Sequence, residues 1–160
     1  MPSVTVLAVG RLKERFYLDA AAEYQKRLGA YVSLTVTELP EQRLPDEPSD
    51  AEIARALGKE AEELEKRIPK GAWLCVLTPE GKELSSTELA DTIRAVRTGG
   101  RSAACFVLGS SFGMAQRLKD RADLRLSMGR MTFPHHLARI MALEQLYRAE
   151  TILAGSKYHK

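Results

Sequence analysis

The sequence predicts an α/β fold: a mainly parallel sheet with helices on both faces. Three observations carry this. Compact apolar runs recur along the chain, at residues 4–9, 73–77 and 103–108. Stretches with apolar residues at helical spacing separate them. The runs barely alternate in polarity, as expected of strands covered on both sides.

The elements follow in order. Val4-Thr5-Val6-Leu7-Ala8-Val9 is β-branched and stops at Gly10, a first strand. Residues 13–28 carry Phe16, Leu18, Ala21, Tyr24 and Leu28 at helical spacing, with Gly29 as the stop. Residues 32–39 alternate and end at Pro40, a second strand. Pro40, Pro45 and Pro48 make the next stretch a loop. Ser49 or Asp50 can cap a helix running to about residue 68. Trp73-Leu74-Cys75-Val76-Leu77 is a strand expected to break at Thr78-Pro79-Glu80-Gly81. Ser85 or Ser86 caps a helix to about residue 97, with Gly99-Gly100 behind it. Residues 103–108 form a buried strand, 114–121 a short helix and 124–126 a brief strand. The last helix starts near Pro134, whose fixed φ suits a first turn, and runs to about residue 153.

At 160 residues the chain is the size of one domain, spanning 1–160. A composition 44% hydrophobic and 28% charged is that of a globular protein. Net charge is +3, so affinity for a polyanion must come from how charge is distributed. Residues 130–160 hold Arg130, Arg139, Arg148, Lys157 and Lys160 against Glu144 and Glu150, an excess equal to the whole net charge, together with all three histidines. That pattern fits either a polyanion site with a titratable group or a solvated basic helix with a polar tail. Between residues 38 and 66 ten acids face four bases, which reads as a solvated side turned away from RNA. No apolar run nears the roughly 18 residues that span a bilayer, and no secretory leader is evident. Cys75 and Cys105 sit inside apolar runs as small hydrophobes, and no Cys or His pair except the adjacent His135-His136 has the short spacing of a zinc site. The cytoplasm is the expected compartment.

In parallel sheets ligands bind beyond the carboxyl ends of the strands. Here those ends are Leu77-Thr78-Pro79, Leu108-Gly109-Ser110 and Ser127-Met128-Gly129. The Gly109-Ser110-Ser111-Phe112-Gly113 turn lacks the lysine of a phosphate loop, and its glycines can serve a bend as readily as a ligand. The final helix is apolar on nearly every side. One face can pack on its own sheet and the other on a second subunit, or the helix is the core of a monomer.

Several runs resemble the RlmH family along the whole chain in a single register. They are Leu7-Ala8-Val9-Gly10, Phe106-Val107-Leu108-Gly109, Met131-Thr132-Phe133-Pro134-His135, Leu143-Glu144-Gln145-Leu146-Tyr147-Arg148 and the closing Tyr158-His159-Lys160. The resemblance implies a small SPOUT-class methyltransferase with a C-terminal trefoil knot, acting as a homodimer. It implies S-adenosyl-L-methionine as cofactor and N3 of a pseudouridine in the large ribosomal subunit RNA as acceptor. Leu77, Gly109 and the loop Ser127, Met128, Gly129, Arg130, Met131, Thr132 and Phe133 match the family's cofactor positions. His135, Arg139, Tyr158, His159 and Lys160 match positions tied to substrate binding or catalysis. The chain has Gly109-Ser110 where the family usually has two glycines, and Met128-Gly129-Arg130 is an unusual filling of its knot loop.

Attack by N3 requires loss of its proton, so a base or a stabiliser of the developing anion is wanted, and His135 or His159 takes one of those roles. Arg139 and Lys160 would hold phosphates and Tyr158 would stack on a base. A small, weakly charged protein is expected to read the shape of an assembled ribosome as a dimer. The alternatives are a non-catalytic ribosome-binding factor and a SPOUT methyltransferase acting on tRNA ribose. A pure RNA binder would bind no adenosylmethionine.

Overall fold

The computed structural model describes residues 1–160. Strands and helices alternate along the chain: β1 (Ser3–Val9), α1 (Arg15–Leu28), β2 (Ser33–Leu39), α2 (Asp50–Arg67), β3 (Trp73–Glu83), α3 (Ser86–Thr98), β4 (Ala103–Leu108), α4 (Gln116–Arg121), β5 (Leu124–Ser127) and α5 (His135–Leu153). The strands form one sheet in the order β2-β1-β4-β3-β5, and every pairing is parallel.

The strands alternate their side chains between two apolar layers. Val4, Val6 and Ala8 of β1 join Ala104, Phe106 and Leu108 of β4 beneath α1, α3 and α5. Leu7, Val9, Cys105 and Val107 point the other way, against α2 and α4. Helices therefore cover both faces, as the non-alternating runs predict. The edge strand β2 is the exception, with an alternating exposed pattern. Both cysteines are buried and free, and burial pushes the Cys105 thiol up to about 12.

Local signals decide the helix starts. Ser49 caps α2 and Ser85 caps α3, each in a reciprocal capping box with Glu52 or Glu88. Pro134 is the N-cap of α5, just outside its first turn. The short helix α4 starts at Gln116, two residues later than the sequence predicts.

The expected end of the third strand at Leu77 is corrected: β3 continues to Glu83. Its register against β5 shifts between Leu77 and Lys82, so residues 78–81 leave the ladder and the strand then rejoins it. Thr78-Pro79-Glu80-Gly81 has turn chemistry, which is why the sequence reads as a stop. The rejoining depends on Gly81, where a Cβ would lie 2.7 Å from the Arg125 carbonyl carbon. Only a residue without a side chain lets the chain pass β5 so closely.

Candidate active site

The carboxyl ends of all five strands lie on one edge of the sheet, and two regions of that edge hold the residues singled out above. The first is a cavity of about 360 Å³ between the ends of β3 and β5 and the helices α3 and α5. Leu77, Ser127, Met128 and Gly129 line it, so the structure brings together four of the predicted cofactor positions. Phe106 forms part of its wall, buried and edge-to-face with Trp73 at 5.9 Å between ring centroids. Ser127 is buried, and its hydroxyl accepts from the Gly129 N–H at 3.1 Å and donates to the Gly129 carbonyl at 3.1 Å. That tight turn fixes the loop's backbone while Gly129 takes φ +128°.

The sequence did not single out the polar side of this cavity, formed by Ser85, Ser86 and Gln145. Ser86 donates to Gln145 at 2.6 Å and so ties α3 to α5. The Ser85 capping box was a usable signal, because it places the N-terminus of α3 just after the carboxyl end of β3.

Gly109 follows Leu108, which pairs with Leu77 across the sheet. It does not itself line the cavity. A Cβ on Gly109 would sit 2.2 Å from the Gly113 carbonyl oxygen. The turn is closed by Ser110 N–H to Gly113 at 3.0 Å and Gly113 N–H to Ser110 at 2.9 Å. The bend alone therefore demands this glycine. Arg130, Met131 and Thr132 stand exposed on the loop into α5, Met131 at 79%, and Phe133 is half-buried.

The second region lies at the ends of β1 and β2, beneath the first turn of α5. Arg139 is 2% exposed, donates to the Gly10 carbonyl at 2.8 Å and pairs with Glu38. Glu38 also accepts from the Leu12 N–H at 2.9 Å. Burial, opposed by that N–H and the Arg139 guanidinium, leaves the Glu38 carboxyl below its ordinary value. Arg139 thus locks the β1–α1 connection against α5. His135 stacks beside His136 at 4.1 Å and faces Glu41 at 3.6 Å, with its Nε2 buried and without a hydrogen-bonding partner. Burial first, then His136, hold the His135 imidazole below its ordinary value. Arg11 and Lys13 on the connection from β1, and Arg15 at the start of α1, are exposed, a basic edge that the sequence reading passed over.

Tyr158, His159 and Lys160 are elsewhere. Tyr158 packs on Tyr147 at 4.7 Å, under the Arg148 guanidinium at 4.8 Å, and His159 Nδ1 meets Arg148 at 3.1 Å. Arg148 is held by Glu144 at 2.7 Å. These contacts dock the tail beside Tyr147 and Arg148 of α5. Arg148 stands 13 residues along the helix from His135, about 20 Å, so one chain does not bring the two halves of the predicted catalytic set together. No group of His, Cys, Asp and Glu is arranged to hold a metal ion. No helix is long and apolar enough to cross a membrane.

Comparison with known proteins gives a consistent result. The family described as "Predicted SPOUT methyltransferase" matches residues 3–159. The chain is 44% identical over 156 residues to the ribosomal RNA large subunit methyltransferase H of Pelotomaculum thermopropionicum, covering 98% of each chain. It is 40% identical over 157 residues to the protein of that name from Lactococcus lactis, covering 98% of this chain and 99% of the relative. For the Bacillus pumilus protein the figures are 40% over 158 residues and 99% of each. Among solved structures, "a probable methylase family protein from Haemophilus influenzae Rd KW20" matches with a TM-score of 0.51 and 13% identity, over 98% of this chain and 70% of that one. That likeness concerns the fold alone.

Proposed function

The chain belongs to the SPOUT methyltransferase family, and we propose that it methylates N3 of a pseudouridine in the large ribosomal subunit RNA of the assembled ribosome, using S-adenosyl-L-methionine and working as a homodimer. The relatives named as large-subunit RNA methyltransferases support the substrate class. The observation that carries the reading is the cavity at the ends of β3 and β5, where four predicted cofactor positions converge. Its apolar walls, Leu77 and Met128 among them, suit an adenine ring, while the fixed 127–129 backbone and Ser86 offer hydrogen bonds. A trefoil knot belongs to the same reading. The passage of the chain from β4 beyond β3 to β5 and the close crossing at Gly81 support it.

When bound, S-adenosylmethionine supplies an electrophilic methyl group. This chain's residues then orient the acceptor and take its proton. His135 is the base: its imidazole stays neutral to lower pH than an ordinary histidine, and its unpartnered Nε2, buried in the free protein, is uncovered by the bound acceptor to take the N3 proton. Arg139 is a positioning residue, because its guanidinium is spent on Gly10 and Glu38 one turn along the helix from His135. Arg11, Lys13 and Arg130 are exposed and meet RNA phosphates.

The tail acts across the dimer. Docked on Arg148, Tyr158 and His159 lie about 20 Å along α5 from their own His135, whereas an antiparallel partner brings its tail to that end. Tyr158 then stacks on a base and Lys160 holds a phosphate. The exposed Phe16, Leu18 and Met131 and the part-exposed apolar residues of α5 supply surface for the partner.

Incubation with labelled cofactor and ribosomes lacking the modification tests the proposal, followed by mapping of the labelled base. Label at N3 of one large-subunit pseudouridine is expected. Label on a ribose or on transfer RNA, or protein that binds ribosomes but no cofactor, would contradict it.

A further inference from the structure

A second cavity, of about 340 Å³, opens on the opposite face of the sheet, between the 41–45 loop, α2 and the 110–113 turn. Glu60 lines it and is 5% exposed. One carboxyl oxygen accepts from the Gln42 N–H at 2.8 Å. The other, Oε1, is sealed from water with no hydrogen-bonding partner. Burial raises the Glu60 carboxyl above its ordinary value; the Gln42 N–H and the Ser110 hydroxyl oppose this, and Glu41 adds to it. A carboxylate kept dry with a free oxygen is costly unless a donor meets it. Within this chain only the Ser110 hydroxyl, which also donates to the Gly113 carbonyl at 3.5 Å, faces that carboxyl.

The remaining wall indicates which donor fits. Glu41 contributes a second acid, Leu44, Pro45 and Leu57 an apolar side, and Phe112 a ring 47% exposed at the rim. Arg43, the single base in the lining, is itself exposed. The surrounding segment carries ten acids against four bases, which repels a nucleotide's phosphate. A cation on an alkyl stem meets charge, apolar wall and aromatic face together.

We propose that this cavity receives the guanidinium or ammonium of a basic side chain from an arginine- or lysine-rich protein segment. On binding, the head group uncovers and meets Glu60 Oε1 beside Glu41, the stem lies along Leu44, Pro45 and Leu57, and Phe112 covers the cation. Binding here needs neither cofactor nor RNA, although Glu41 also faces His135 at 3.6 Å. The acidic side of the molecule is then a protein-docking face, complementary to the basic edge at α5.

Calorimetric titration of the full-length protein with a hexaarginine peptide, without cofactor, tests the site. Three variants are compared with the unmodified chain. Glu60→Gln keeps the Gln42 contact through its amide oxygen and turns the free acceptor into a donor. Phe112→Ala removes an exposed ring and leaves the core intact. Glu62→Gln makes the same charge change on the exposed side of α2. Binding is expected to weaken about ten-fold in the first two and to stay within about two-fold in the third. Equal losses in Glu60→Gln and Glu62→Gln would overturn the proposal by showing only a diffuse acidic face. Binding of a uridine trinucleotide that Phe112→Ala abolishes would overturn it in favour of a nucleobase. Spermidine displacing the peptide at equal or lower concentration would overturn the protein source.

Discussion

Replacing Gly109 with alanine separates two reasons for a glycine at the end of β4. The added Cβ would stand 2.2 Å from the Gly113 carbonyl oxygen and 2.7 Å from its carbon. The 110–113 turn must withdraw by about 1 Å to restore ordinary contact. That movement breaks the paired Ser110 and Gly113 backbone hydrogen bonds, at about 1 kcal/mol each. Residual overpacking adds about 1–3 kcal/mol. The expected loss is then about 3–5 kcal/mol, or a fall in Tm of roughly 6–20 °C for a chain of this size. The displaced turn also pulls on Leu108, which is paired with Leu77 at the cavity wall, so cofactor affinity drops about ten-fold. Thermal unfolding and calorimetry with adenosylmethionine read the two effects separately. An unchanged Tm with lost affinity would mean that the glycine serves ligand approach alone. No change in either would refute the geometry of the turn.

Other perturbations test other parts of the structure. Arg97 holds the buried Glu150 through two bonds of 2.9 and 2.6 Å, so Arg97→Ala should lower stability by about 2–4 kcal/mol in denaturant unfolding. Glu60→Gln should raise stability at pH 7 by about 1–2 kcal/mol, because it removes a dry, unpaired charge. Since burial raises the folded-state Glu60 carboxyl, the wild-type penalty exists only where that group is ionised. The gain should therefore vanish as pH falls below the ordinary 4.5, and a gain that persists in acid would disprove the charge argument. The acid limb of kcat/KM should fall below the ordinary histidine value of 6.5, because burial depresses His135. Glu41→Gln should move that limb lower still, since Glu41 favours the imidazolium.

The fold was legible because period and punctuation agreed. Ser49 and Ser85 capped where expected, and the buried strands of residues 73–77 and 103–108 read as apolar runs. Strand order was not legible: nothing local tells β5 to pair with β3 rather than β4. The extension of β3 was hidden because Pro79 and Gly81 carry turn chemistry whether or not the strand resumes. Glu60 was masked by the charge run around it, although Ala56, Glu60 and Leu64 fall at four-residue spacing on the buried stripe of α2. The predicted catalytic set joins the first turn of α5 to a tail docked more than three turns further along it, a separation that motif matching does not carry. Arg139 looked like a phosphate ligand by type, yet its burial commits it to Gly10 and Glu38.

Subunit complementation tests the shared site most directly. One subunit lacks residues 158–160, and the other carries Met128→Trp, which fills the adenosyl cavity. Each is inactive alone. Random mixing makes half the dimers mixed, each with one intact site, so about a quarter of wild-type methylation of ribosomes should return. If the mixture stays inactive while mixed dimers form, each chain uses its own tail and the two-subunit site is wrong.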